Sequence, residues 1–157
     1  MAHPLTVSSS RAVPAPIEET YGHTLRLPLT ELFSRRYLAV PPVTRVEQLD
    51  PGAWGTVGQR RTIHTGDGGS MLETLTVCDD PDRFGYVITD LHGALSPLAE
   101  RIEGTYAFEK AGTGTRVTWS WVLHPAGTLG GLALPVFGRM WAGYARQALE
   151  NLERSLV

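Results

Sequence analysis

Arg61 and Glu73 are the residues of this chain whose type and placement most invite chemistry. Each falls in a stretch where apolar and polar side chains alternate, and each sits on the apolar parity. The first stretch carries Val57, Gln59, Arg61 and Ile63 on one face, the second Met71, Glu73, Leu75 and Val77. A hairpin closed over Gly66-Asp67-Gly68 pairs residues whose numbers sum to about 134, which sets Ile63 against Met71, Arg61 against Glu73 and Gln59 against Leu75. An unpaired buried charge is costly, so the two charges are expected to pair. Two readings then stand side by side. The pair is either a structural ion pair inside the sheet or a polar anchor on a cavity wall that orients a mostly apolar ligand. Neither entails making or breaking a bond.

The same alternation places aromatic side chains on that face. Phe84, Tyr86, Ile88 and Asp90 form one set, Ile102, Gly104, Tyr106 and Phe108 a second, and Val117, Trp119, Trp121 and Leu123 a third. Turn lengths pair Val77 with Phe84, Leu75 with Tyr86, and Gly104 with Trp119, so that Gly104 leaves room for an indole or a ligand. Trp141 and Tyr144, near the C-terminus, are core residues or the floor of a cavity, since aromatic rings offer apolar area with a polar tip.

Other chemistries find less support. No Gly-x-Ser-x-Gly elbow occurs, and Gly66-Asp67-Gly68-Gly69 joins two strands instead of opening a phosphate-binding helix. His3, His23, His64, His92 and His124 are scattered singly, without metal-ligand spacing, so no metal or other cofactor is expected. Asp90 with His92 would make a general base given hydrogen-bond reach, and His92 and His124 each end a strand where a cavity mouth could lie. Cys78 falls on the outer parity and reads as inert. Trp54, in a Gly-rich loop, reads as a lid or hairpin anchor. Thirteen of the 14 basic residues are Arg, a bias read as base composition.

The elements that must position these residues follow from periodicity and punctuation. A strand over 6–13 precedes a short helix opened by Ala15-Pro16-Ile17-Glu18-Glu19, with acids where the dipole favours them. A second short helix begins at Leu29, with Thr30 as N-cap, and ends at Pro41-Pro42. Six strands follow at 43–49, 57–65, 70–78, 83–91, 101–109 and 115–123. A long helix covers about 129–156, with Leu132, Val136, Met140, Tyr144, Ala148 and Leu152 recurring every four residues beside Phe137, Trp141, Ala145 and Leu149. Pro135 either marks its proper start or kinks it. Only this helix is long enough to cover the sheet's apolar face. The length of 157 residues fits one domain across 1–157, its core over about 6–155. A hydrophobic fraction of 42% excludes charge-driven disorder, and the net charge of −2 offers no field for nucleic acid. The single cysteine precludes an internal disulfide, and no apolar run is long enough for an integral membrane segment. With no secretory leader in Met1–Val13, the expected location is the cytoplasm.

The ordered series of short motifs resembles the START-like, helix-grip superfamily (SRPBCC), best in its bacterial polyketide cyclase/dehydrase-like branch. The residues that carry the resemblance are Ala15-Pro16-Ile17-Glu18-Glu19, Trp54-Gly55-Thr56-Val57-Gly58-Gln59-Arg60-Arg61, Asp67-Gly68-Gly69-Ser70 with Glu73, Arg83-Phe84-Gly85-Tyr86, and Gly114-Thr115-Arg116-Val117-Thr118-Trp119. The resemblance implies an α+β helix-grip fold: a seven-stranded antiparallel sheet curled around a long C-terminal helix, with two short helices after the first strand. It also implies a hydrophobic cavity between sheet and helix. On that reading the partner is a small hydrophobic molecule of lipid, polyketide or terpenoid class. Arg61 and Glu73 orient its polar end, and Tyr86, Tyr106, Trp119, Trp121, Met140 and Tyr144 line the apolar part. The alternative is a cyclase/aromatase promoting intramolecular aldol condensation and dehydration, with Arg61 stabilising a developing oxyanion. No residue maps onto a specific catalytic position.

Overall fold

Leu5–Val13 alternates half-buried and exposed residues and forms the first strand, β1. The computed structural model describes residues 3–157. Pro16 caps helix α1 (Ile17–Arg26), with Glu18 and Glu19 in the first turn and His23 and Arg26 in the last, complementing its dipole at both ends. Its inward face is Ile17, Thr20, Tyr21, Thr24 and Leu25. The two threonines bury safely because each hydroxyl donates to a carbonyl one turn back, Thr20 to Pro16 at 2.8 Å and Thr24 to Thr20 at 2.7 Å. Helix α2 (Leu29–Leu32) is one turn, capped by Pro28 and not by Thr30, which lies inside it. It also stops well before Pro41-Pro42. Between them runs an extended loop in which Tyr37 and Val40 pair across a two-residue turn.

Six strands complete a single antiparallel sheet: β2 (Val43–Gln48), β3 (Arg60–Thr65), β4 (Ser70–Asp79), β5 (Arg83–His92), β6 (Ala99–Ala111) and β7 (Gly114–Pro125). The order β1-β7-β6-β5-β4-β3-β2 puts the first strand beside the last. Helix α3 (Thr128–Leu156) lies across the inner face and runs through Pro135. The core is the layer between them, built on Trp119, Trp141, Leu75, Ile88, Ile102, Leu123, Leu149 and Leu152. This is the α+β architecture that the resemblance implied. Among the described residues no helix is long and apolar enough to cross a membrane.

Several sequence expectations need correction. In β3–β4 the pairs Arg61–Glu73 and Ile63–Met71 form as expected. Val57, however, is exposed in a loop, and β3 starts three residues later. The cause is the buried Gln59 side chain, whose oxygen accepts from the Gly55 and Thr56 amides and whose nitrogen donates to the Pro51 and Ala53 carbonyls. Those four bonds hold 51–59 as a coil. Gly58 and Gln59 both bond the Leu75 backbone, so the strand begins on a bulge. A second bulge between Leu75 and Val77 puts Val77 opposite Gly85 and Cys78 opposite Phe84. One extra residue flips the faces beyond it, so Cys78 turns inward against the core.

The β6–β7 hairpin closes on Gly112-Thr113 and pairs Gly104 with Trp121 and Tyr106 with Trp119. The expected partner of Gly104 was Trp119. A slip of two residues keeps every side chain on its face, so alternation alone cannot choose between these registers. Asp90 takes a left-handed φ of 54° and points outward. On α3, Leu132 and Val136 are exposed. A four-residue step overshoots the helical turn by about 40°, so a stripe that is inward at Leu152 has rotated to the outside by Val136. The buried stripe is Leu134, Phe137, Trp141, Tyr144, Ala145, Ala148, Leu149 and Leu152.

Candidate functional site

Between the inner face of the sheet, α2 and α3 lies a cavity of about 80 Å³. Of the residues expected to line it, Arg61, Glu73, Tyr86, Tyr106, Trp119, Trp121 and Tyr144 do so, whereas Met140 is half-buried on α3 and does not. The helix rotation that exposes Val136 also turns Met140 away. Phe33, Leu25 and Asp67 also line the cavity, which the sequence did not lead one to expect, as does Phe84, which alternation had placed on the inner face. Phe33 follows directly on Leu29 and Leu32 of α2, which is the one local signal of its inward direction. Asp67 lies in a turn and reaches the wall only through tertiary folding.

The polar end is the ion pair. Arg61 Nε donates to Glu73 Oε1 at 2.6 Å, with side chains 12% and 5% exposed. The guanidinium also lies 3.9 Å from the centre of the Trp54 ring, a cation–π contact that gives the Gly-rich loop its anchor. Its Nη groups have no partner among the described residues, and Arg61 also borders a groove between Pro28-Leu29-Thr30 and Thr44-Arg45-Val46. The pair therefore leaves donors free.

The aromatic end is a connected stack. Trp119 lies 5.7 Å from Tyr106, 5.2 Å from Phe33 and 4.7 Å from Trp141, centre to centre. Phe33 stacks face to face on Tyr144 at 5.4 Å. Tyr86 Oη accepts two indole bonds, from Trp119 Nε1 at 2.8 Å and Trp121 Nε1 at 2.9 Å. Gly104 makes this possible, because a Cβ there would overlap the Tyr86 ring. Gly104 is thus the seat of Tyr86 and not open space for a ligand. Tyr144 Oη donates to the Pro41 carbonyl at 2.9 Å and ties the 33–41 loop to α3. The Tyr106 hydroxyl has no hydrogen-bond partner among the described residues.

Burial pushes the phenols of Tyr86, Tyr106 and Tyr144 well above their ordinary value, and Tyr21 up to about 12. All four are neutral at physiological pH. In the unfolded chain they ionise near pH 10, so above that pH the unfolded state holds fewer protons and stability falls. The slope is about 1.4 kcal/mol per pH unit for each phenol. Cooperative unfolding is expected between about pH 10 and pH 12. Circular dichroism titration checks this, and a folded protein with four ionised phenols at pH 11.5 (roughly midway in the upper half of that window) contradicts it.

One end of the cavity is held by Asp67. Its Oδ1 accepts from Thr65 Oγ1 at 2.6 Å and from the Gly69 amide at 2.9 Å, and its Oδ2 accepts from the Ala94 amide at 3.1 Å. These bonds, led by that from Thr65, hold its carboxyl below the ordinary value. They clamp the β3–β4 turn to the β5–β6 loop. His92 lies at this end, 3.5 Å from Asp90, but both side chains are largely exposed and separated from the buried pair. His124 does not line the cavity; it sits on the outer face beside Arg101 and Glu103. Burial raises the Cys78 thiol, consistent with an inert residue.

A sheet gripping one long helix over an aromatic-lined cavity defines the START-like class. Residues 4–157 match the sequence profile of the family described as "Polyketide cyclase / dehydrase and lipid transport", and the chain belongs to that family. No curated protein matches it. Among solved structures, protein TTHA0849 from Thermus thermophilus is 24% identical, with a TM-score of 0.68 over 96% of this chain and 95% of that one. Major latex-like protein 151 from Panax ginseng is 12% identical, with a TM-score of 0.75 over 99% of both. DynU16, a protein of the dynemicin biosynthetic locus, is 16% identical, with a TM-score of 0.64 over 96% of this chain and 46% of that one. At these identities the likeness is one of fold.

Proposed function

We propose that this protein binds a small, largely apolar molecule of lipid, polyketide or terpenoid class between its sheet and α3. The observation that carries this reading is the aromatic-lined cavity whose walls include residues with free donors, the Arg61 Nη groups and the Tyr106 hydroxyl. Such a donor set suits a ligand with a carbonyl or carboxylate at one end. The family description, which includes lipid transport, agrees with it.

At about 80 Å³ the cavity is smaller than the roughly 150 Å³ that accepts benzene, so burying any of these ligands wholly within it requires a side chain to move. Phe33 is the mobile candidate. It is only half-buried, sits at the end of a one-turn helix, and fills the space between Trp119 and Tyr144. Phe33→Ala is therefore expected to raise affinity for a long-chain fatty acid at least about tenfold, since the displacement no longer opposes binding. Native mass spectrometry of the purified protein, with extraction of what it carries, is the direct test. A stoichiometric apolar adduct supports the reading. A clean mass, together with no uptake of fatty acids, flavonoids or terpenoids by either protein, refutes it.

A second reading, a cyclase/aromatase, is favoured by one feature: the neutral Tyr106 hydroxyl and the Arg61 Nη groups are donors with no hydrogen-bond partner among the described residues, as a developing oxyanion requires. Turnover of a poly-β-ketone mimic that Tyr106→Phe reduces without loss of binding would support it.

A further inference from the structure

The N-terminal half of α3 presents an apolar ridge to solvent. Leu129 is 82% exposed, Leu132 72% and Val136 63%. At about 100° per residue these three, with Arg139 and Gly143, lie within about 40° of one line along the helix. Gly143 is where the 33–41 loop lands: the Tyr37 ring occupies the space a Cβ there would need. The next residue, Leu38, is 67% exposed and held at a φ of 51°, a left-handed conformation that a leucine rarely adopts. A tight turn has thus been closed with a large apolar side chain at its outward tip.

The charge around these leucines is of one sign. Arg35, Arg36, Arg139 and Arg146 are exposed and form no ion pair among the described residues. No acid occurs in 32–44, and the first acid on α3 is Glu150, already paired with Arg154. This is a local excess of cations on a chain whose net charge is −2. Isolated exposed leucines need no explanation, but an aligned set rimmed by unpaired arginines marks a contact surface.

We propose that this face, the Leu129–Leu132–Val136 ridge together with the Leu38 turn, docks on an anionic lipid surface. Leucine side chains enter the headgroup boundary and the surrounding guanidiniums bind phosphates. A second copy of the chain fits less well, because a twofold contact brings the same arginines against one another. A nucleic acid fits less well too, since the ridge offers aliphatic side chains and no exposed ring for a base to stack on. Docking would bear on the loop whose Phe33, Val40 and Pro41 wall the cavity, yet it is independent of what the cavity holds.

The test is flotation of the full chain with phosphatidylcholine vesicles, with and without roughly a third phosphatidylglycerol. Binding is expected to the anionic vesicles alone and to weaken with salt. Leu132→Asp is expected to weaken it at least about tenfold, and Arg35→Ala and Arg36→Ala about fivefold each. These side chains are exposed, so an unchanged melting temperature verifies that each variant is folded. Three results overturn the proposal: no partition of the parent chain onto anionic vesicles, partition that Leu132→Asp leaves unchanged, or a concentration-dependent dimer in sedimentation that Leu132→Asp dissolves. Fatty-acid uptake measured on the same variants separates this surface from the cavity, because Leu132→Asp is expected to leave it intact.

Discussion

Glu73→Leu is expected to destabilise the protein by about 3–5 kcal/mol, because it leaves the Arg61 guanidinium buried without its carboxylate. The Trp54 face still stabilises that charge, yet a quadrupole does not replace an ion at 2.6 Å. Arg61→Met should cost a similar amount from the other side, stranding Glu73. The double variant Arg61→Met/Glu73→Leu should recover much of the loss, since two apolar side chains of similar volume need no desolvation of charge. Urea unfolding of the four proteins gives the coupling energy, expected to exceed about 2 kcal/mol. Single variants within 1 kcal/mol (roughly a surface-pair effect) would show that the pair is not energetically buried. The double variant also decides between the two readings of the pair. If it folds and still takes up fatty acid, the pair is structural; if it folds and uptake is lost, the pair anchors the ligand.

Gly104→Ala is the second large effect. The added Cβ overlaps the Tyr86 ring, and that ring cannot give way without breaking the bonds from Trp119 and Trp121. Overpacking commonly costs about 1–3 kcal/mol; the loss of two buried indole bonds puts the expected cost at the top of that range or above it. Tyr86→Ala on the Gly104→Ala background should relieve the overlap, so the two changes should couple favourably. Calorimetry of the single and double variants checks both. A Gly104→Ala protein as stable as the parent would mean that Tyr86 does not lie over Gly104.

How much of this was legible beforehand depended on which kind of signal carried it. The ion pair could be read because two charges broke an alternating pattern and one short turn tied their positions together. The aromatic wall could be read for the same reason: Tyr86, Tyr106, Trp119 and Trp121 all keep the inner parity. Where parity was interrupted, the reading failed. The bulge after Leu75 turned Cys78 inward, and the coil around Gln59 left Val57 in solvent.

By itself, the sequence determined the order of elements, the inner face of β3 to β7 wherever the alternation runs uninterrupted, and the pairing of Arg61 with Glu73. These depend on local periodicity and on one hairpin, and a one-residue slip would bury the wrong face. The tertiary structure alone decided the register of β6 on β7, the seat of Tyr86 over Gly104, and the direction of α3, which exposes Leu132 and Val136 and turns Met140 from the cavity. A two-residue slip leaves the alternation unchanged, and a four-residue repeat fits either end of a long helix. Only the packing of one element on another distinguishes such alternatives, because the energy that selects them comes from contacts between residues far apart in the chain.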